Sequence, residues 1–269
     1  MKNPHIKDSK NRPNVLITGA TSGIGLEMAK ILAKAGYNLV LTGRNEAKMK
    51  EIETTLQPAM EGTLTVVESD LGILGAGEEL HEKCHRRGLT IDILINNAGN
   101  GFFGEHLTLP LPQLRTMLTC NTINLTELCS LFGTEMIKRK NGMILNIAST
   151  AAYQPLPYMA AYAASKSYVL NFSEALAKEL EDDDVTVSCY SPGATATKFF
   201  ASAGVAVANN KDFPVERYAP AHLVAQKALE TLFSKKLSSV YGWYGRFTAF
   251  AVRLFPRAFV AAVTKRIMG

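Results

Sequence analysis

The pattern of hydrophobic and polar positions changes along the chain between short, nearly continuous apolar runs and stretches with a helical period. Six short runs are nearly continuous in apolar, often β-branched residues, and amphipathic stretches separate them. Runs of this kind are typical of strands that are buried on both faces of a parallel sheet. The predicted strands are NVLITGA (14–20), NLVLTGR (38–44), TLTVVESD (63–70), IDILINNAG (91–99), MILNIAST (143–150) and VTVSCYSPG (185–193).

The stretches between these runs repeat their apolar residues at the spacing of helices with one buried face. They cover about 24–35, 45–57, 75–87, 112–139 and 159–181. Strands that alternate with helices predict right-handed βαβ units, and therefore a doubly wound parallel sheet of about seven strands with helices on both faces. No Pro-, Gly- or Ser-rich linker and no fixed repeat interrupts the pattern, so we predict a single α/β domain.

We expect this domain to span 14–244, after a polar N-terminal segment at 1–13. A basic, amphipathic helical extension follows at 245–269. Its most apolar part, FTAFAVRLFPRAFVAAV (247–263), is broken by Arg253, Pro256 and Arg257. It is therefore too short and too charged to predict a membrane-spanning helix. Pro256 should interrupt or begin a helix.

The composition describes a globular protein, with 47% apolar and 20% charged residues in a chain of 269. The net charge of +5 is mild and gives no evidence of nucleic-acid binding. Cys84, Cys120, Cys129 and Cys189 form no C-x-x-C pair and have no histidine at metal-ligand spacing, so we predict reduced thiols and no metal site. The first residues lack the apolar core of a secretion signal. We expect a cytoplasmic protein, and the tail leaves a peripheral membrane location open.

The first predicted strand ends in TGATSGIG, which places Gly19, Gly23 and Gly25 in a turn before a helix. Glycine lets the backbone approach a ligand closely, and the N–H groups at a helix start attract phosphate. At the beginning of a βαβ unit, this turn predicts a nucleotide site. The spacing G-x-x-x-G-x-G differs from the common dinucleotide fingerprint, and a P-loop is excluded because no Gly-Lys-Ser/Thr follows.

The second and third strand ends bear on the choice of cofactor. An acidic residue at the end of the second strand would bind the ribose hydroxyl of NAD, whereas arginine can pair with the 2′-phosphate of NADP. The chain has Arg44 there and Lys48 one turn later, which favours NADP(H) over NAD(H). The alternative is a solvated arginine at a helix start. Asp70, after the third strand, either contacts the adenine or caps the segment that follows.

The motif YAASK places Tyr162 and Lys166 four residues apart, which is one face of a helix. NNAG (96–99), Ser149 and the PG pair at 192–193 follow the fourth, fifth and sixth strands. Ligands of doubly wound sheets bind beyond the carboxyl ends of the strands. We therefore expect these polar residues to converge on one site.

Taken together and in this order, TGATSGIG, NNAG, Asn121, Ser149, YAASK and PG resemble the short-chain dehydrogenase/reductase family over 14 to about 235. The resemblance implies a single-domain Rossmann-type fold. It also implies hydride transfer between nicotinamide C4 and a carbinol or carbonyl carbon, with a proton moving at the oxygen. Members of the family commonly form dimers or tetramers, so a homodimer or homotetramer is implied.

The resemblance assigns four catalytic residues. Tyr162 is the general acid/base, and Lys166 is its electrostatic partner, which also holds the nicotinamide ribose. A nearby ammonium should lower the pKa of a tyrosine below its ordinary value near 10. Ser149 hydrogen-bonds the substrate oxygen, and Asn121 holds a water that links Lys166 to solvent. Asn124 stands where much of the family has a small residue, and we expect its side chain to face elsewhere.

The resemblance also implies a cofactor site at the strand ends. Its predicted members are Gly19, Thr21, Ser22, Gly23, Ile24, Gly25, Arg44, Asp70, Leu71, Asn97, Ala98, Gly99, Tyr162, Lys166, Pro192, Gly193, Thr195 and Thr197. Substrate contacts are expected from Phe102, Tyr153, Tyr158 and Phe199. These side chains are mostly apolar and aromatic, with no obvious charge to bind a carboxylate, which favours an apolar ketone, aldehyde or secondary alcohol.

The sequence is compatible with several hypotheses about function. The leading one is an NADP(H)-dependent carbonyl reductase or alcohol dehydrogenase, and the alternative reaction is reduction of 3-oxoacyl thioesters. A protein of another class would keep the fold and sense NADP without turnover, although Tyr162 and Lys166 are both present. The tail either packs on the substrate pocket or a second subunit, or lies on an anionic membrane.

Overall fold

The computed structural model describes residues 12–204 and 218–268. The predicted N-terminal segment at 1–13 therefore falls almost wholly outside the described residues. The strands are β1 (Asn14–Thr18), β2 (Asn38–Gly43), β3 (Leu64–Glu68), β4 (Ile93–Asn96), β5 (Gly142–Ile147), β6 (Val185–Ser191), β7 (Thr195–Ala196), β8 (Ala219–Pro220) and β9 (Ser238–Val240). The α-helices are α1 (Gly23–Lys34), α2 (Glu46–Leu56), α3 (Ala76–Arg86), α4 (Leu111–Leu118), α5 (Asn124–Arg139), α6 (Ala160–Glu179), α7 (Phe199–Ser202), α8 (Ala221–Phe233), α9 (Gly242–Ala251) and α10 (Arg257–Met268).

Seven parallel strands form one sheet in the order β3-β2-β1-β4-β5-β6-β9, and β7 pairs with β8 separately. The chain proceeds outward from β1 in one direction and then, from β4 onward, in the other. The strand order therefore reverses beside β1, where doubly wound sheets bind their ligands. The predicted fold is confirmed.

The sheet separates two hydrophobic layers. Val15 and Ile17 of β1 pack with α1, α2 and α8 on one face, whereas Leu16 packs with α3, α5 and α6 on the other. Successive side chains of a strand point to opposite faces, so a strand that is covered on both sides must be apolar throughout. Burial of such a side chain contributes roughly 1.5–3 kcal/mol. This is the physical reason for the continuous apolar runs in the sequence.

The predicted helix over 112–139 is interrupted. The chain passes from α4 through a π-helical turn at Thr119–Ile123 into α5. Asn121 lies in this turn and is fully buried. Turns of this kind occur frequently at functional sites, because the extra residue changes the direction of the side chains around it.

The C-terminal part contains elements that the apolar pattern did not locate. The seventh strand, β9, is three residues long and only half-buried, so no continuous apolar run marks it. Pro256 immediately precedes α10, as predicted, and the predicted boundary between 244 and 245 falls inside α9. Across 12–204 and 218–268, none of the helices has the length and apolar character needed to cross a membrane.

Candidate active site

A cavity of about 1160 Å³ lies along the carboxyl edge of the sheet. All but four of the residues predicted for the site line it. Those that do are Gly19, Thr21, Ser22, Gly23, Ile24, Arg44, Asp70, Leu71, Asn97, Ala98, Gly99, Ser149, Tyr153, Tyr162, Lys166, Pro192, Gly193, Thr195, Thr197 and Phe199. The exceptions are Gly25, Phe102, Asn121 and Tyr158.

The turn after β1 can accept a phosphate. Gly19 and Gly23 have φ values of +65° and +56°, which favour glycine. A Cβ on Gly19 would lie 2.9 Å from the Ala98 Cα atom, and one on Gly23 would lie 2.9 Å from the Thr197 methyl group. The Ser22 side chain at the start of α1 accepts no capping hydrogen bond, and no acidic residue occupies the first turn. The N–H groups and the positive end of α1 therefore remain suited to an anion.

Hydrogen bonds fasten the end of β4 to this turn. The Thr18 hydroxyl accepts from the backbone N–H groups of Asn97 (3.0 Å) and Ala98 (2.9 Å). The Asn97 amide donates to the carbonyl oxygens of Thr18 (2.9 Å) and Gly19 (3.2 Å). Gly25 packs against the same Asn97 amide, so its role is to admit this side chain rather than to line the cavity. Thr18 was missed in the sequence, although it is the first letter of the TGATSGIG motif.

Arg44 lies where the cavity passes the end of β2. Its side chain is exposed, and no carboxylate in the described parts of the chain lies within ion-pair distance of it. The next residue, Asn45, caps α2 by accepting from the Lys48 N–H at 2.9 Å. Arg44 is thus left free beside the cavity, as binding of a 2′-phosphate requires.

The loop after β3 is fixed from two sides. Asp70 Oδ1 accepts from the Gly72 N–H at 3.0 Å, so Asp70 makes a local turn and also lines the cavity. The fully buried Asn124 amide donates to the carbonyl oxygens of Leu71 and Ile73, both at 2.7 Å. Asn124 therefore faces away from the cavity, as expected, and holds the loop that carries Leu71.

Tyr162 and Lys166 stand together on α6, and both are buried. The Lys166 ammonium donates to the Ile147 carbonyl at 2.9 Å, at the end of β5. Ser149, two residues later, accepts from the Ala151 N–H at 3.1 Å and hydrogen-bonds Tyr162. The structure thus brings three of the four predicted catalytic residues to one wall of the cavity.

The pKa of Tyr162 differs from the expectation. Burial raises it to about 12, and the hydrogen bond with Ser149 lowers it only in part. Burial also lowers the pKa of Lys166 to about 8, because a desolvated ammonium is destabilised. The predicted lowering of the Tyr162 pKa by Lys166 is therefore wrong for the protein chain itself: the ammonium is directed to the Ile147 carbonyl, and burial dominates.

Asn121 lies behind the cavity wall. Its amide oxygen accepts from the Asn100 N–H at 3.1 Å, and its nitrogen donates to the Asn100 carbonyl (2.9 Å) and the Ser165 hydroxyl (3.0 Å). A Cβ on Gly99 would lie 3.1 Å from Asn121 Oδ1 and 3.2 Å from Lys166 Nζ. The two groups therefore approach the same side of Gly99. A water held between Asn121 and Lys166 stays a prediction.

The four predicted substrate residues separate into two pairs. Phe199 lines the cavity with its ring 5.3 Å from that of Tyr162, and Tyr153 lines it beside Ser191. Phe102 and Tyr158 lie outside the lining. Tyr158 has φ +63°, which turns its ring against Phe103 at 5.8 Å. Phe102 packs into the cluster beneath the cavity.

The helices α9 and α10 supply a wall of the cavity, although none of their residues was named among the predicted site residues. The Thr264 hydroxyl of α10 shares its proton between the Pro155 carbonyl and the Val260 carbonyl of its own helix, both at 2.9 Å, and the first of these contacts joins the helix to the loop before α6. None of the residues that α9 and α10 contribute to the lining is charged. Apart from glycines, they are Trp243, Tyr244, Thr248, Ala249, Ala251, Phe259, Val260, Val263, Thr264, Ile267 and Met268, and Val252 and Phe255 of the connection join them. These contacts support the prediction that the tail packs on the pocket. They concern only the inner side of the tail, so they do not test the prediction that it lies on a membrane.

Comparisons with known proteins agree with this geometry. A family model described as short chain dehydrogenase matches residues 13–206. The mouse (Mus musculus) 17-beta-hydroxysteroid dehydrogenase type 3 is 33% identical over 186 residues, which are 68% of this chain and 60% of that protein. A very-long-chain 3-oxoacyl-CoA reductase from Pyricularia oryzae is 32% identical over 176 residues, which are 64% of this chain and 53% of that protein. The chain thus matches only 53% to 60% of the length of these two relatives.

Solved structures match over more of the chain. A short-chain dehydrogenase from Sphingobium yanoikuyae in complex with NADPH has a TM-score of 0.80 and 27% identity, covering 90% of this chain and 93% of that one. A bulky-bulky ketone specific alcohol dehydrogenase from Comamonas testosteroni has a TM-score of 0.76 and 28% identity, covering 91% and 93%. The chain belongs to the short-chain dehydrogenase family, whose members are dehydrogenases and reductases that act on CH–OH and C=O groups.

Proposed function

We propose that the chain is an NADP(H)-dependent oxidoreductase that reduces an apolar ketone or aldehyde to the alcohol. The observation that carries this proposal is the continuity of one cavity. It has the glycine-rich turn and Arg44 at one end, Ser149 and Tyr162 in the middle, and the uncharged wall of α9 and α10 at the other end. A cofactor, a proton donor and an apolar substrate can therefore meet in one space.

The residues present fit a dinucleotide. Gly19 and Gly23 leave room that a Cβ would fill, and the start of α1 offers uncapped N–H groups to a pyrophosphate. Arg44 is free to pair with a 2′-phosphate, which supports NADP(H) over NAD(H). Bound NADPH supplies the hydride.

The chain itself handles the proton and the substrate oxygen. Tyr162, a phenol at neutral pH because its pKa is about 12, donates its proton to the oxygen as the alcohol forms. Ser149 donates a hydrogen bond to the same oxygen and stabilises the charge that develops there. Lys166 places a positive charge beside the phenolate that Tyr162 becomes. The phenolate then regains a proton from solvent, for which Asn121 and Lys166 are the proposed route.

The uncharged wall supports an apolar substrate. The names of similar proteins refer to hydroxysteroids, very-long-chain 3-oxoacyl-CoA and bulky ketones, all of which have large apolar parts. One observation favours the thioester as the second candidate. Lys198, which is exposed and also lines the cavity, could pair with a phosphate of an acyl carrier.

The cofactor proposal is tested by fluorescence titration with NADPH and NADH. We expect Arg44→Ala to weaken NADPH binding roughly tenfold to a hundredfold, because a charge-assisted contact is lost, and to leave NADH binding unchanged. Lys48→Ala is the matched control. Lys48 carries the same charge and lies one turn after Arg44, but its side chain does not line the cavity. Equal binding of both cofactors in all three proteins would make Arg44 a bystander.

The substrate proposal is tested by rates of NADPH oxidation. The substrates are an apolar ketone, the same ketone bearing a carboxylate, and a 3-oxoacyl thioester. Fastest turnover of the apolar ketone supports the leading candidate, and fastest turnover of the thioester, lost in Lys198→Ala, supports the second. NADPH binding with no turnover of any carbonyl compound would point to a non-catalytic NADP sensor.

We also propose that the protein is a homodimer or homotetramer. Tyr168 on α6 is partly exposed, bonds Thr126 of α5 at 2.8 Å and stacks on Phe172. With Leu118 and Ile123, it gives this side of the molecule exposed apolar surface. Sedimentation velocity of the full chain tests for a dimer or tetramer, and a monomer at micromolar concentration would contradict it.

A further inference from the structure

The basic excess of the chain is concentrated in its last 39 residues. From Thr231 to the end there are seven lysines and arginines and no acidic residue, whereas the preceding 230 residues contain 22 basic and 24 acidic ones. Five of these cations belong to α9, α10 and their connection, and all five are exposed: Arg246, Arg253, Arg257, Lys265 and Arg266. None of them has an ion pair with another described residue.

A second set of side chains on the same helices is apolar and exposed. Phe247, Phe250 and Leu254 are 62%, 61% and 68% exposed and do not line the cavity. Phe247 and Phe250 are three residues apart and lie on one side of α9, and Leu254 follows in the turn after this helix. Exposed aromatic and aliphatic side chains that form a cluster mark a surface that contacts something apolar.

The cavity opens beside this surface. Trp243, Phe255 and Phe259 line the cavity and are also more than half exposed, so they form part of its rim. The rim, the outward apolar set and the basic residues therefore share the α9–α10 helix pair. We call this region, residues 242–268, the C-terminal face.

We propose that the C-terminal face docks on an anionic lipid surface, with the rim of the cavity next to the lipid. Aromatic and aliphatic side chains insert between headgroups, while the surrounding lysines and arginines pair with lipid phosphates. Docking in this orientation would let an apolar substrate pass from the lipid into the cavity. The helices lie on the surface and do not span it, in keeping with their length and charge.

A lipid surface fits the C-terminal face better than a second copy of the chain. Two copies would bring two sets of five cations into contact, and like charges in an interface oppose association. An acidic protein partner would need an apolar patch within its own acidic surface to cover the three outward apolar side chains as well as the cations. Lipid headgroups with acyl chains beneath them match both sets at once.

The test is sedimentation of the full chain with vesicles, without cofactor or substrate, so that its result does not depend on the proposed reaction. We expect binding to vesicles of phosphatidylcholine and phosphatidylglycerol, and at least tenfold weaker binding to phosphatidylcholine alone. Charge near an anionic surface contributes about fivefold per Lys or Arg, so Arg253→Glu/Arg257→Glu should weaken binding by more than twentyfold.

The apolar contribution is tested with Phe247→Ser/Phe250→Ser/Leu254→Ser, for which we expect at least tenfold weaker binding. Leu107→Ser/Leu111→Ser is the matched control, because these leucines are 97% and 63% exposed and lie outside the C-terminal face. Unchanged circular dichroism and unchanged NADPH affinity would show that the variants are folded.

Three results would overturn the proposal. Equal binding to neutral and anionic vesicles would remove the charge argument, and no binding would remove the membrane altogether. The third is a protein that does not bind vesicles and forms a dimer that the triple serine variant dissociates. The C-terminal face would then bind a second copy of the chain.

Discussion

The two ends of the cavity are lined by different kinds of chemical groups. At the cofactor end, backbone groups and short polar side chains are fastened by hydrogen bonds, as between Thr18 and the N–H groups of Asn97 and Ala98. At the other end, where we propose that the substrate binds, large apolar side chains come from α9 and α10, and the Thr264 hydroxyl joins α10 to the loop before α6. We expect the first arrangement to recognise a cofactor through fixed geometry, and the second to recognise an apolar substrate through shape and area.

The same difference decides how each end responds to substitution. At the glycine-rich turn, one added side-chain atom should disrupt cofactor binding, because the closely packed backbone around it cannot move. A wall of flexible side chains adapts, so single changes there should alter selectivity rather than abolish activity. We expect the largest effect at Tyr162, the proposed proton donor, which lies between the two ends.

Tyr162→Phe should reduce kcat for reduction by a factor of about 10²–10⁴, because the proton donor is lost. The phenyl ring keeps the contact with Phe199 and loses only the hydroxyl, so NADPH affinity should change far less than kcat. Tyr153→Phe is the matched control: it removes another hydroxyl from the cavity lining, and we expect it to keep most of the activity. Wild-type turnover in Tyr162→Phe would disprove the assignment.

Gly19→Ala should weaken cofactor binding by at least tenfold and lower the free energy of unfolding by roughly 1–3 kcal/mol. Its Cβ would meet the Ala98 Cα at 2.9 Å, in addition to the cost of φ +65°. Gly88→Ala is the matched control, because Gly88 has φ +67° but nothing within 4 Å of the added atom. We expect the control to lose stability only, by about 1 kcal/mol. Equal cofactor binding in both variants would show that the close approach at Gly19 is unimportant.

The pH dependence tests the electrostatics between the two ends. Lys166, with a pKa of about 8, is an ammonium below that pH, and Tyr162, with a pKa of about 12, stays a phenol throughout. If the reaction requires Lys166 as an ammonium, kcat/KM for reduction should be constant below pH 8 and fall roughly tenfold per pH unit above it. Lys166→Arg keeps its charge at these pH values, so whatever activity remains should lack this decline. A wild-type profile that is level to pH 10 would contradict the role of Lys166.

The lowered pKa of Lys166 should also make stability depend on pH. Stability should rise with pH where activity falls. Because burial lowers the pKa of Lys166, the unfolded chain binds more protons than the folded chain between about pH 8 and the ordinary value of 10.5. The free energy of unfolding therefore gains a contribution that rises with pH across this window. Lys166→Met should remove it, as measured by urea denaturation at several pH values.

The contrast between the two ends also explains what the sequence could predict. The strands β1 to β6 were found because burial on both faces requires continuous apolar runs, and the glycine turn because its backbone approach excludes side chains. The strand β9 was missed because its three residues are only half-buried. The outward turn of Tyr158 and the raised pKa of Tyr162 depend on backbone direction and on burial by residues distant in sequence, so no local pattern carries them.

The smallest effect is expected where α10 meets the active-site loop. Thr264→Val removes the hydroxyl that the Pro155 carbonyl and the Val260 carbonyl of α10 share, while keeping the volume of the buried side chain, and it should cost about 1 kcal/mol of stability. If α10 forms the substrate wall, KM for a bulky apolar ketone should rise a few-fold, whereas NADPH affinity and KM for a small ketone should not change. Thr134→Val is the matched control, because this exposed threonine on α5 loses only a bond to the Ser130 carbonyl within its own helix. A rise in KM for small and bulky ketones alike would show that α10 supports the catalytic loop rather than selecting the substrate.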